Sequence, residues 1–119
     1  MSAPWPVELR YNRAARALSV TFEDGATYKL PAEYLRVESP SAEVQGHGAA
    51  TKVTVPSKRN VGIEKIEPVG RYAVRLTFSD GHDTGLYSWD YLAQLGREQA
   101  KRWFEYESRL KAQGLSRDA

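Results

Sequence analysis

Along residues 17–25, ALSVTFEDG, Leu18, Val20 and Phe22 alternate with Ala17, Ser19 and Thr21. A period of two turns one face of an extended segment toward the interior. The pattern returns in 72–81, YAVRLTFSDG, where Val74, Leu76 and Phe78 alternate with Arg75 and Thr77. Each run ends in Asp-Gly, a strong short-range hairpin signal because glycine takes positive φ without penalty. VTFEDG (20–25) and LTFSDG (76–81) lie 56 positions apart, and each is followed by a strand-like piece, ATYKL (26–30) or DTGLY (83–87). LPAEYL (30–35) then answers YSWDYL (87–92), with one additional residue in the second copy beside His82. Two copies are too few for a solenoid. They predict a duplicated β-β-short-helix unit, or two similar hairpins of independent origin. Pro31 suits the first helical position, Ser88 suits an N-cap, and Glu33 and Asp90 sit near positive helix ends.

Each unit is expected to begin with a further strand, VELRY (7–11) and VGIEKIE (61–67), with turns at 12–16 and 68–71. Residues 97–113 carry neither proline nor glycine and predict a helix, with Ala100, Trp103, Phe104 and Leu110 near one face and Gly114 as its stop. Its aromatic residues are expected to pack on the sheet; Trp89 and Trp103 read as core, whereas Trp5 is open to either reading. The predicted class is α+β: an antiparallel sheet of about six strands, two short helices and a C-terminal amphipathic helix. One domain spans 1–119, with its repeated core in 5–95 and a long polar loop in 36–60. Loops of that length inside a compact domain are uncommon and are usually either functional or disordered.

Composition narrows the chemistry. The chain has no cysteine, which excludes a disulfide framework, a thiolate zinc site and a Cys-ligated cluster of its own. Its 17 basic and 15 acidic residues are interspersed, unlike the concentrated basic face of a nucleic-acid binder. Lys52, Lys58 and Arg59 form the nearest approach to one and read as a solvated loop. No apolar run approaches the roughly 18 residues of a membrane span. The start, MSAPWPVELRYNR, shows no signal-peptide pattern, so the expected location is the cytoplasm and no membrane contact is expected.

Two clusters stand out as candidate chemistry. His82 lies between Asp80 and Asp83, and His47 sits in QGHG (45–48). Two imidazoles with Glu38, Glu43 or Asp83 are chemically sufficient for a cation, although hydrogen-bonded turn and loop histidines are the more ordinary reading. Asp80 reads as a turn residue bonding its own backbone near Gly81. Arg36 is suited to hold a carboxylate, Asp80 or Glu38, and so to pin the long loop. No nucleophile motif, phosphate cradle or cofactor fingerprint occurs, so no enzyme activity and no cofactor are expected.

YLRVESPSAEVQGHG (34–48) followed by VGRYAVRLTFSDGHDTGLYSWDYL (69–92) resembles the gamma-butyrobetaine hydroxylase-like N-terminal domain family, over roughly residues 5–95. That resemblance implies a small domain found ahead of the catalytic domain of carnitine-pathway oxygenases, or standing alone or beside ATPases that carry iron–sulfur clusters in bacteria. In the oxygenases it implies a structural zinc on three cysteines and one histidine. Those positions fall here at Ser39, Ser41, Val44 and His82, so the zinc site is expected to be lost. The oxygenase iron site belongs to a separate domain. What the resemblance supports is a non-catalytic protein-interaction module, accessory to an iron–sulfur cluster carrier or oxidoreductase. Arg36, Glu38, Ser39, Ser41, Glu43, His82 and Asp83 are its candidate loop anchors or contacts. The alternative is a small-ligand or metal-binding domain using His82 and His47.

Overall fold

The computed structural model describes residues 5–46 and 52–118. The strands are β1 (Pro6–Asn12), β2 (Ala17–Phe22), β3 (Thr27–Pro31), β4 (Ile63–Val69), β5 (Ala73–Phe78) and β6 (Leu86–Ser88); the helices are α1 (Ala32–Val37), α2 (Ala42–Gln45), α3 (Trp89–Arg97) and α4 (Gln99–Ala112). The class is α+β with six antiparallel strands, divided into two three-stranded sheets, β1-β2-β3 and β4-β5-β6, instead of one. In both, the alternating strand is central, and Leu18, Val20, Phe22, Val74, Leu76 and Phe78 are all buried.

The repeat is visible at atomic level. Gly25 and Gly81 have φ of 89° and 90°. Phe22 N–H donates to Ala26 O and Phe78 N–H to His82 O, at 2.8 and 2.9 Å. The Asp24 and Asp80 carboxylates accept from the N–H two residues on, at 3.0 and 3.1 Å. The turns therefore superpose residue for residue through His82, and the additional residue lies in 83–85. It shortens the returning strand: β6 is Leu86–Ser88, not 83–87.

Helix starts follow local chemistry. Ser88 caps α3, its Oγ accepting from Tyr91 N–H at 3.0 Å. Pro31 stands one residue earlier than expected, as the last residue of β3 opposite Ala17, with α1 beginning at Ala32. In α4 the buried face is Trp103, Tyr106 and Leu110, spaced i, i+3, i+7, while Ala100 and Phe104 are exposed, Phe104 at 72%. One residue of rotation, about 100°, takes Phe104 off that face. Gly114 at φ 66° stops the helix as expected.

The units clasp each other through phenols. Tyr34 of α1 donates to Leu95 O of α3 at 2.7 Å, and Tyr87 of β6 donates to Leu35 O of α1 at 2.5 Å. Burial pushes both phenols well above the usual tyrosine range, so they stay donors at any ordinary pH. The α3 helix also lies on β3, where Gly96 faces the Tyr28 ring; a Cβ there would stand 2.3 Å from Tyr28 Cγ. Gly96→Ala is therefore expected to destabilise by about 1–3 kcal/mol, read as a lower urea midpoint at unchanged m-value.

Candidate functional site

The long polar segment is not a plain loop. Its start belongs to α1, and Ser41 caps the single turn of α2, accepting from Glu43 N–H at 3.2 Å. This turn packs against the inserted residues of the second hairpin. Gly85 makes the approach possible, since a Cβ there would stand 2.4 Å from Ser39 Oγ.

Ser39, Ser41 and His82 meet at this junction and are buried, as is Val44 on the same helical turn as Ser41. Ser39 Oγ lies 2.9 Å from His82 Nε2 and accepts from Ser41 N–H at 3.2 Å. His82 Nδ1 lies 3.3 Å from Glu43 Oε2. The chain of bonds fits one assignment: Nδ1–H donates to Glu43, and Nε2 accepts from the Ser39 hydroxyl. Ser41 Oγ meets Thr84 Oγ1 at 2.8 Å, and Gln45 Nε2 donates to Ser39 O at 2.8 Å. Burial favours the neutral imidazole, and the Arg36 charge adds to this against Glu43 and Asp80, so His82 titrates below the usual histidine value.

Arg36 meets Asp80, not Glu38: its Nε donates to Asp80 Oδ2 at 2.8 Å, and Lys58 joins the same oxygen at 2.7 Å. Burial alone would raise the Asp80 pKa, but bonds from Lys58, the His82 N–H and Arg36 hold it well below the usual carboxylate range. Asp80 thus closes its turn and also anchors α1.

Glu38 has a different role. Its side chain is 1% exposed and takes Lys52 Nζ at 2.9–3.0 Å and Arg102 Nη1 at 2.6 Å, while its main-chain O accepts from Tyr91. It floors an open cleft of about 420 Å³ lined also by Lys101, Glu105 and Arg109. The basic residues of 51–60 are therefore not simply solvated: Lys52 serves Glu38, Lys58 serves Asp80, and Arg59 pairs with Asp118. The pairing of Lys52 and Arg102 with Glu38 was invisible in the sequence, where Arg102 offers only its i, i+4 relation to Glu98. Glu43 and Asp83 are exposed. Trp5 is 46% exposed against Tyr72, whereas Trp89 and Trp103 are half-buried on the core. His47 lies outside the described residues, and both ring nitrogens of His82 are already engaged. Among the described residues, no group of three or more metal-ligating side chains is placed to hold an ion, and no helix is long and apolar enough to cross a membrane.

A sequence model of the family described as gamma-butyrobetaine hydroxylase-like, N-terminal, matches residues 9–93. The chain belongs to this family. Two family-sized structures solved by NMR resemble it closely. One is 44% identical with a TM-score of 0.83, covering 97% of this chain and 90% of that one. The other is 49% identical with a TM-score of 0.84, covering 97% and 86%. A crystal structure of a DUF971-family protein of unknown function from Acidithiobacillus ferrooxidans is 40% identical with a TM-score of 0.66, covering 80% of this chain and 98% of that one. No curated protein matches the chain.

Two measurements probe the junction. Because the folded pKa of His82 is depressed, its contribution to stability is present above the unfolded value of roughly 6.5 and is lost as pH falls through the folded one. Urea unfolding should therefore weaken from pH 7 toward 5 in the wild type, and less steeply in His82→Gln; parallel profiles would contradict the assignment. Combining Ser39→Cys, Ser41→Cys and Val44→Cys with the native His82 restores three thiolates and one imidazole, and should give zinc retention after dialysis that the wild type lacks.

Proposed function

We propose that this protein is a non-catalytic interaction module, accessory to an iron–sulfur cluster carrier or oxidoreductase. The observation that supports it is the junction's hydrogen-bond network. The buried Glu38, Ser39, Ser41 and His82 are bonded to partners within the chain, and the partly buried Arg36 is bonded through its Nε to Asp80; these residues act as anchors. The residues left outward on the same rigid unit are Ala42, Glu43, Asp83 and Thr84, with Val53 held beside them by its N–H bond to Val44 O at 2.7 Å. A preorganised lip of two carboxylates and small apolar groups suits recognition of a basic or mixed protein surface without the entropy of ordering a loop on binding. The iron–sulfur setting comes from the family's occurrence beside cluster-carrying ATPases. With no cysteine, the chain acts by contact and supplies no thiolate to a cluster.

The test is capture from native lysate with wild type and with Ala42→Lys/Asp83→Lys, which leaves the Glu43–His82 bond in place. Cluster-carrying or oxidoreductase proteins enriched by the wild type should be lost from the variant, with thermal midpoints within a few degrees of each other because both sites are surface positions. Recovery of no such protein, or equal recovery by both, contradicts the reading.

A further inference from the structure

The segment after α4 turns back along the body of the protein. Leu115 N–H closes the helix on Leu110 O at 2.8 Å, and the chain beyond it lies beside residues 57–59. Ser57 N–H donates to Ser116 O at 2.9 Å, Arg59 N–H donates to Arg117 O at 3.1 Å, and the Arg59 side chain pairs with Asp118. Between these anchors Arg117 points inward.

Its Nε and Nη2 donate to the two carboxylate oxygens of Glu33, both at 2.7 Å, and its guanidinium carbon stands 5.0 Å from the Trp103 ring centroid. Glu33 is 6% exposed and, among the described residues, accepts hydrogen bonds from Arg117 alone. A two-oxygen acceptor beside an aromatic face is complementary to a guanidinium in shape, charge and stacking. A lysine ammonium satisfies neither the fork nor the planar stack.

The receptor and its occupant belong to different parts of the molecule. Glu33 and Trp103 sit on α1 and α4, and Tyr34 packs edge-on to the Trp103 ring at 6.3 Å between centroids. Arg117 belongs to a strap whose neighbours Leu115, Ser116 and Asp118 are exposed. The guanidinium is not sealed in: Arg117 borders two hollows of about 240 Å³ each, one beside Pro31, Tyr34 and Gln99, the other beside Ser57, Lys58 and Asn60. Outside the receptor, two main-chain bonds, a Ser57 hydroxyl bond to Asp118 O at 3.3 Å and one exposed ion pair hold the strap down, so the Arg117–Glu33 contact is the main obstacle to its local opening.

We infer that Glu33 and Trp103 form a receptor for an arginine side chain of a peptide segment in a partner protein, occupied in the free chain by Arg117. The strap then acts as an intramolecular competitor. Tethered at millimolar effective concentration, it leaves the receptor only to a ligand that also gains contacts in the flanking hollows. This site lies apart from the Glu43–Asp83 lip and stands independently of the reading given for it.

The test uses the full chain carrying Arg117→Ala and the peptide acetyl-Leu-Ser-Arg-Asp-Ala-amide, followed by the Trp103 indole N–H in NMR titrations. The arginine peptide should bind this variant at least about tenfold more tightly than the wild type. Its citrulline counterpart should not bind, and adding Glu33→Gln should remove the gain. If Arg117→Ala is poorly folded, Arg117→Lys keeps the charge without the fork, and the arginine peptide should raise its thermal midpoint where the citrulline peptide does not. Equal effects of the two peptides on both variants, or binding that Glu33→Gln leaves intact, would reduce the contact to a structural clasp and overturn the proposal.

Discussion

A carboxylate that is 1% exposed has to be matched by cations, and the Glu38 side chain sets this demand at the centre of the polar half of the protein. Lys52 brings in the segment that follows α2, Arg102 brings in α4, and the Tyr91 hydroxyl, bonded to Glu38 O, brings in α3. Removing one partner from a fully buried pair costs about 3–5 kcal/mol; Lys52 and Arg102 keep 17% and 18% exposure, so screening makes the loss smaller here. The geometry explains why the long segment between the two β-β-helix units is held at both ends. Glu38 fixes its start to α4 through Arg102, and Lys58 fixes its far end to Asp80 of the second hairpin.

The junction beside Glu38 is fastened by side-chain bonds between segment 38–46 and the second hairpin. Family resemblance assigns zinc ligands to Ser39, Ser41, Val44 and His82. In this chain the two serine hydroxyls bond to His82 and Thr84, and Val44 packs as a buried apolar side chain. A structural zinc contributes a large part of its binding energy to folding, whereas each neutral hydrogen bond contributes about 1 kcal/mol. Several such bonds, the two ion pairs and the apolar contacts of Val44 together supply an alternative fastening. Gly85 is indispensable to it, because the inserted hairpin residues reach the Ser39 hydroxyl only where no Cβ intervenes.

Much of the fold was legible because it rests on local periodicity. The alternation in 17–22 and 73–78 marked the two central strands, the Asp-Gly turns were placed correctly to the residue, and Ser88 announced α3. Division of the strands into two sheets was not legible, since it depends on how the units clasp through Tyr34 and Tyr87 across 61 and 52 residues. Phe104 misled because hydrophobicity alone does not fix the rotation of a helix; the buried face is set by what Tyr106 and Leu110 meet, Val37 and the Val55 carbonyl among them. The candidate site was partly legible. Arg36, Asp80 and His82 stood out by composition and by the repeat, whereas Glu38–Arg102 and Glu33–Arg117 join residues 64 and 84 positions apart with no motif to announce them.

The central claim is that segment 38–46 is fastened to the second hairpin by hydrogen bonds and ion pairs without metal. Native-state amide exchange of Val53, whose N–H bonds Val44 O at 2.7 Å, and of Glu43, whose N–H bonds Ser41 Oγ at 3.2 Å, reads whether the segment keeps the fold that the Ser39–His82 and Ser41–Thr84 bonds fix against that hairpin. Both amides should be protected in chelator-treated protein, with protection unchanged on adding zinc. Unprotected amides that become protected only when zinc is supplied would contradict it.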